Sequence, residues 1–124
     1  MIKAVTDITI IIFLGDVSSI NKEEIITVFQ KKKPNIKINK IISISPIYTT
    51  FSKTKAVTVK ANIDLFLQES EDCKHINDYV GKVFPLLQNS FYNEGRVEVT
   101  SIIQLVKAKD DEAFSNFKHI HEFF

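Results

Sequence analysis

The chain has no tryptophan, which says little, and only one cysteine, three glycines and three prolines; the scarcity of cysteine and of glycine each removes a class of explanation. A single thiol, Cys73, cannot close an internal disulfide and makes a poor start for a zinc site, which needs several Cys or His at short spacing. Gly15, Gly81 and Gly95 stand too far apart for a glycine-rich phosphate loop, so nucleotide-cofactor chemistry is disfavoured and no cofactor is expected. The apolar run at Ile8–Leu14 is seven residues long, far short of the roughly 20 that span a bilayer. The N-terminus also lacks the charged start and small-residue cleavage site of a signal peptide. The expectation is a cytoplasmic protein with no membrane partner.

Acidic residues are missing from a long internal segment. From Ile25 to Ile63 there are eight lysines and no Asp or Glu, whereas Asp64 to Phe124 holds eleven acids against six bases. The net charge is only +1, yet the two halves carry opposite fields.

What remains is an ordinary globular composition. With 124 residues, 44% of them hydrophobic, the chain is expected to form one domain over 1–124. Its most apolar stretch, Ile8 to Leu14, is rich in β-branched residues. From Ile10 onward its apolar residues fall on both parities, which predicts a central strand buried on both faces. Gly15-Asp16 ends it. Asn21 then reads as a helix N-cap, Glu24 as its reciprocal capping partner and Ile20 as a staple onto Ile25. Ile25, Val28 and Phe29 form the core-facing stripe, Lys31-Lys32-Lys33 suits the negative end of the helix dipole, and Pro34 stops the helix.

Ile36, Ile38, Ile42 and Ile44 share one parity, interrupted by Lys40, and predict a one-sided edge strand. Pro46 to Lys55 reads as a loop. The alternation Val57, Val59, Ala61, Ile63, Leu65, Leu67 predicts the second arm of an antiparallel hairpin. Ser70 or Asp72 is expected to cap a second helix with Cys73, Ile76, Val80, Val83, Phe84 and Leu87 on its buried side, kinked or split at Pro85 and ending before Asn93-Glu94-Gly95. Val97, Val99, Ile103 and Leu105 predict the last strand. Asp110-Asp111-Glu112 then opens a terminal helix carrying Phe114, Phe117, Ile120 and Phe124, a tail apolar enough to need docking.

The order β-α-β-β-α-β predicts an α+β, ferredoxin-like domain: a four-stranded antiparallel sheet with both helices on one face and an added C-terminal helix. Ile11 and Phe13 would then point to the face without helices, which must be covered by the terminal helix or by a partner.

No set of residues reads as catalytic. His119 and His121, two apart on a helix, diverge and cannot hold a metal together, and Cys73 and His75 diverge in the same way. Glu69, Glu71, Asp72 and Asp78 at a helix start are explained by dipole compensation. The loop containing Tyr48, Phe51, Lys53 and Lys55 interleaves aromatics with cations, a pattern able to stack bases and meet phosphates. The preferred reading is a hairpin whose aromatics tuck back onto the sheet.

The run Ile12-Phe13-Leu14-Gly15-Asp16, followed by Asn21-Lys22-Glu23-Glu24-Ile25 and by a helix over His75–Leu87 before a strand, resembles small bacterial domains associated with polymorphic-toxin immunity. That resemblance implies a non-enzymatic inhibitor that binds a cognate protein toxin and assigns no catalytic residue. Two partner-binding regions are expected. The acidic stretch Asp64–Asp72 would suit a basic nuclease toxin and the lysine-rich stretch Lys31–Lys60 an acidic surface, with Asp64, Glu69, Glu71, Asp72, Tyr48, Phe51, Lys53 and Lys55 as the candidate partner-binding residues. The alternative is a ferredoxin-like homodimer binding a small molecule or nucleic acid on its open sheet face.

Overall fold

The computed structural model describes residues 1–15, 20–33, 35–91 and 96–107, with only the backbone described for Val28, Phe29, Lys32, Ile76, Asn77, Ile102 and Ile103. The expected stops and turns at Asp16, Pro34 and Asn93-Glu94-Gly95 lie outside the described residues. So do the terminal helix with its four apolar residues and both His119 and His121.

The chain is α+β, built on an antiparallel sheet. β1 (Ile2–Phe13) is its centre, paired antiparallel with β4 (Lys55–Leu67) on one side and β5 (Val97–Lys107) on the other. β2 (Ile36–Ile44) pairs with the outer side of β4, giving the order β2-β4-β1-β5. A two-residue strand β3 (Tyr48–Thr49) also pairs with β4, at Lys55 and Ala56. Among the described residues the sheet thus has five strands rather than the four expected. The extra strand arises because the segment expected to be a loop runs alongside the start of β4 before turning.

β1 is buried on one face only. Ile2, Ala4, Thr6, Ile8, Ile10 and Ile12 are buried, the odd positions from Lys3 to Ile11 are half-buried, and Phe13 is 49% exposed. This corrects the expected two-sided burial. Ile25 of α1 (Lys22–Lys32) and Val83 and Leu87 of α2 (Val80–Ser90) join the even-numbered side of β1 in a single buried cluster, so both helices lie on that side. The alternation in β4 serves the same core: Val57, Val59, Ala61, Ile63, Leu65 and Leu67 are all buried. On its other face, Asp64 and Phe66 are buried as well, while Lys60 is exposed. The second face is therefore closed at the Leu67 end of β4 and open at the Lys55 end.

The start of α1 is as its sequence dictates. Asn21 Oδ1 accepts from the Glu24 backbone N–H at 2.9 Å, Asn21 Nδ2 donates to Glu24 Oε1 at 2.9 Å, and Ile20 packs against the core. Gly15 has φ 59, the left-handed conformation the turn after β1 requires.

Two further expectations fail, the first through strand pairing and the second through a local polar turn. In β2 the register slips between Ile38 and Lys40 and again between Ile41 and Ser43. Each slip is a bulge that resets the parity, so Ile36, Ile38 and Ile41 are buried and Ile42 is exposed. In the second helix neither Ser70 nor Asp72 is the cap. A 3₁₀ turn (Ile76–Tyr79) precedes α2, and no side chain caps the helix at Tyr79. Asp78 Oδ2 instead accepts the backbone N–H groups of Lys74 and His75, each at 2.9 Å. Within α2, Val80 and Phe84 lie exposed while Val83 and Leu87 face the core. Pro85 sits inside a continuous α2, and the break falls before Val80 rather than at the proline.

Candidate partner-binding surface

β4 carries the residues expected to bind a partner at its two opposite ends. Lys55 begins it and Leu67 ends it, twelve steps later, or about 40 Å at the usual strand rise. The acidic and the aromatic-basic groups are therefore two separate regions and cannot form one site.

At the Leu67 end the acids are largely engaged within the fold. Asp64 is 4% exposed, and its Oδ1 accepts from Asn39 Nδ2 at 2.7 Å. Glu69 Oε1 accepts from Lys107 Nζ, and Glu69 Oε2 lies 3.6 Å from the Met1 ammonium, so this carboxylate ties the end of β5 to the start of β1. The hydrogen bond from Lys107, followed by the nearby ammonium charges, holds the Glu69 carboxyl below its ordinary range. Only Glu71 and Asp72 of this group remain exposed without such a role; the Asp72 backbone N–H donates to Ser70 Oγ at 3.3 Å. Nearby, Cys73 and His75 border a cleft of about 270 Å³ together with Glu69, Lys107 and Tyr79. Among the described residues no group of three or more His, Cys, Asp or Glu could hold a metal ion.

The Lys55 end has a different character. Phe13 of β1 and Tyr48 of β3 both stand opposite Ala56, so the three form one cross-strand row on the face away from the helices. Ala56 is buried between its two aromatic neighbours, which are themselves exposed. The Tyr48 hydroxyl lies 2.9 Å from Thr58 Oγ1 in the next row, beside Ile11.

The turn beyond this row is held by its own polar groups. Thr50 N donates to Thr54 O and Lys53 N donates to Thr50 O, both at 2.9 Å. The hydroxyls of Thr50, Ser52 and Thr54 form a chain of contacts at 3.0 and 3.3 Å, and Lys53 takes a φ of 63. Phe51 stands at the tip with its whole side chain in solvent. This overturns the expectation that the loop aromatics tuck back onto the sheet. Of the two loop aromatics, Tyr48 is the one bonded to the sheet, through Thr58.

Sequence reasoning missed Ile47 and Arg96 as members of this surface. Ile47 is exposed in the segment leading to Tyr48. The Arg96 carbonyl accepts from Ile11 N at 3.0 Å, and Thr9, Ile11, Thr58, Arg96 and Glu98 border a shallow recess of about 180 Å³. Pairing of β1 with β5 brings Arg96 there, and no local pattern announces it. No protein-family model, curated protein or solved structure matches the chain.

Proposed function

We propose that this chain is a ferredoxin-like, protein-binding inhibitor: an immunity protein that binds and neutralises a cognate bacterial toxin. In this reading it acts in the cytoplasm, without catalysis or cofactor. The order β2-β4-β1-β5, with the short β3 set aside, has the first and third long strands at the centre and both helices on one side, and this supports the fold part of the reading. One observation carries the functional part. Phe13, Tyr48 and Phe51, three large aromatic side chains at one end of the sheet, are exposed beside the exposed Lys53 and Lys55. Aromatic anchors inside a polar rim are the composition of protein-binding surfaces.

The reading requires a toxin gene adjoining this one, and co-expression of the chain with the toxin domain of such a neighbour tests it. The intact chain is expected to restore growth, and Phe51→Ala with Tyr48→Ala to lose the protection while remaining folded. An intact chain that gives no protection would sink it. The second reading, a homodimer that binds a small molecule or nucleic acid on the open face, is favoured by the Thr9–Arg96 recess alone; sedimentation showing a dimer that shields this face would raise it.

A further inference from the structure

Resting on the Phe13–Tyr48–Phe51 end as the docking surface, we propose that its occupant is an acidic protein surface with an apolar centre. The cations around the patch carry this step. Lys53 lies in the Phe51 turn, Lys55 ends that turn on the helix-side parity of Val57 and Val59, Lys60 stands on the open face opposite Thr9, and Arg96 borders the recess beside Ile11; all four are exposed. Glu98, at the same recess, is the one exposed acid among them. Among the described residues, four cations against one exposed anion around exposed Phe13, Ile47, Tyr48 and Phe51 make a basic rim on an apolar centre, and complementary potentials set encounter rate and partner choice.

The acids of the opposite end do not offer a comparable surface for a basic partner. Asp64 is buried and Glu69 is bound to Lys107 and the Met1 ammonium, which leaves Glu71 and Asp72. Nucleic acid fits the basic end less well than protein does. Domains that bind nucleic acid are strongly basic as a whole, with pI above about 9, whereas this chain has a pI of 7.8.

A random peptide library displayed on phage and panned against the full chain supplies the probe. The enriched peptides are expected to carry net negative charge with aromatic or large aliphatic residues. Their synthetic counterparts should bind about tenfold more weakly or worse to Lys53→Glu/Lys55→Glu and to Lys55→Glu/Lys60→Glu, the second pair guarding against an effect on the turn. The matching Lys→Gln pairs should lose less, and Phe51→Ala should weaken binding as well. Circular dichroism checks that each variant is folded. Neutral or basic peptides, no enrichment over an unrelated bait, or affinities indifferent to charge reversal or to Phe51→Ala would overturn the proposal. So would tighter binding of an oligothymidylate of about twenty residues, which would make the patch a nucleic-acid surface. The growth-protection assay is independent of this panning, so a failed immunity reading and a failed acidic-partner reading are told apart.

Discussion

Asn62 Nδ2 donates to Asp7 Oδ1 at 2.8 Å, directly across the central pair of strands. The contact belongs to a polar row that crosses the whole sheet on the face away from the helices. Asn39 Nδ2 of β2 donates to Asn62 Oδ1 at 3.1 Å, and Ser101 Oγ of β5 donates to Asp7 Oδ2 at 3.4 Å. This row divides the face into the closed end with Phe66 and the open end with Phe13. Because Asn62 bonds on both sides, Asn62→Ala removes two side-chain hydrogen bonds and leaves one oxygen of a half-buried Asp7 without its donor. The expected destabilisation is about 1–3 kcal/mol, read by urea denaturation. A value indistinguishable from zero would show the row to be solvated rather than structural.

Thr6 is the one polar residue among the inward positions of β1; it is fully buried, and its hydroxyl has no hydrogen-bond partner among the described residues. Replacing it with valine keeps the β-branched shape and removes the unmet group. Thr6→Val should stabilise the fold by about 1 kcal/mol. Thermal and chemical denaturation report it.

Gln30 protects an edge. Its Oε1 accepts from Ile38 N at 2.8 Å and its Nε2 donates to Ile36 O at 3.0 Å, so the amide occupies backbone groups of β2 that β4 does not use. Gln30→Ala should cost about 1–2 kcal/mol and uncover that edge for another strand. Light scattering should then show association that rises with concentration and is absent from the parent chain.

Stability should fall on the acid side through two carboxylates. Glu69 is depressed by Lys107 and the Met1 ammonium, and Asp78 by the backbone N–H groups of His75 and Lys74. A carboxyl depressed in the folded state contributes stability that is present above its unfolded pKa and lost as pH falls through the folded one. Lys107 is raised, chiefly by its hydrogen bond to Glu69. Its contribution is present below the unfolded lysine pKa and lost as pH rises through the raised value. Glu69→Gln should therefore flatten both the acid and the strongly alkaline limbs of a stability profile, whereas Asp78→Asn should flatten the acid limb alone. All three groups face solvent, so the amplitudes should be small and shrink further with salt.

The sequence by itself determined what depends on neighbours along the chain. The Asn21–Glu24 capping box needs residues three apart, the period-2 run from Val57 to Leu67 needs only its own alternation, and both appear as read. The α+β class follows from such local patterns. Tertiary pairing decided the rest. Which isoleucines of β2 face the core depends on two bulges against β4, and one step of register turns Ile42 out and Ile41 in. The late start of α2 is the exception, a local event: Asp78 accepts the backbone N–H groups three and four residues before it, a competition that helical spacing does not reveal. The acidic and the aromatic-basic candidates, read as two regions along the chain, lie at opposite ends of β4, because a strand of thirteen residues holds its ends far apart. Phe13, Tyr48 and Arg96 share one open end for the converse reason: pairing of β1 with β4 and β5, and of β3 with β4, joins residues that sequence distance keeps apart.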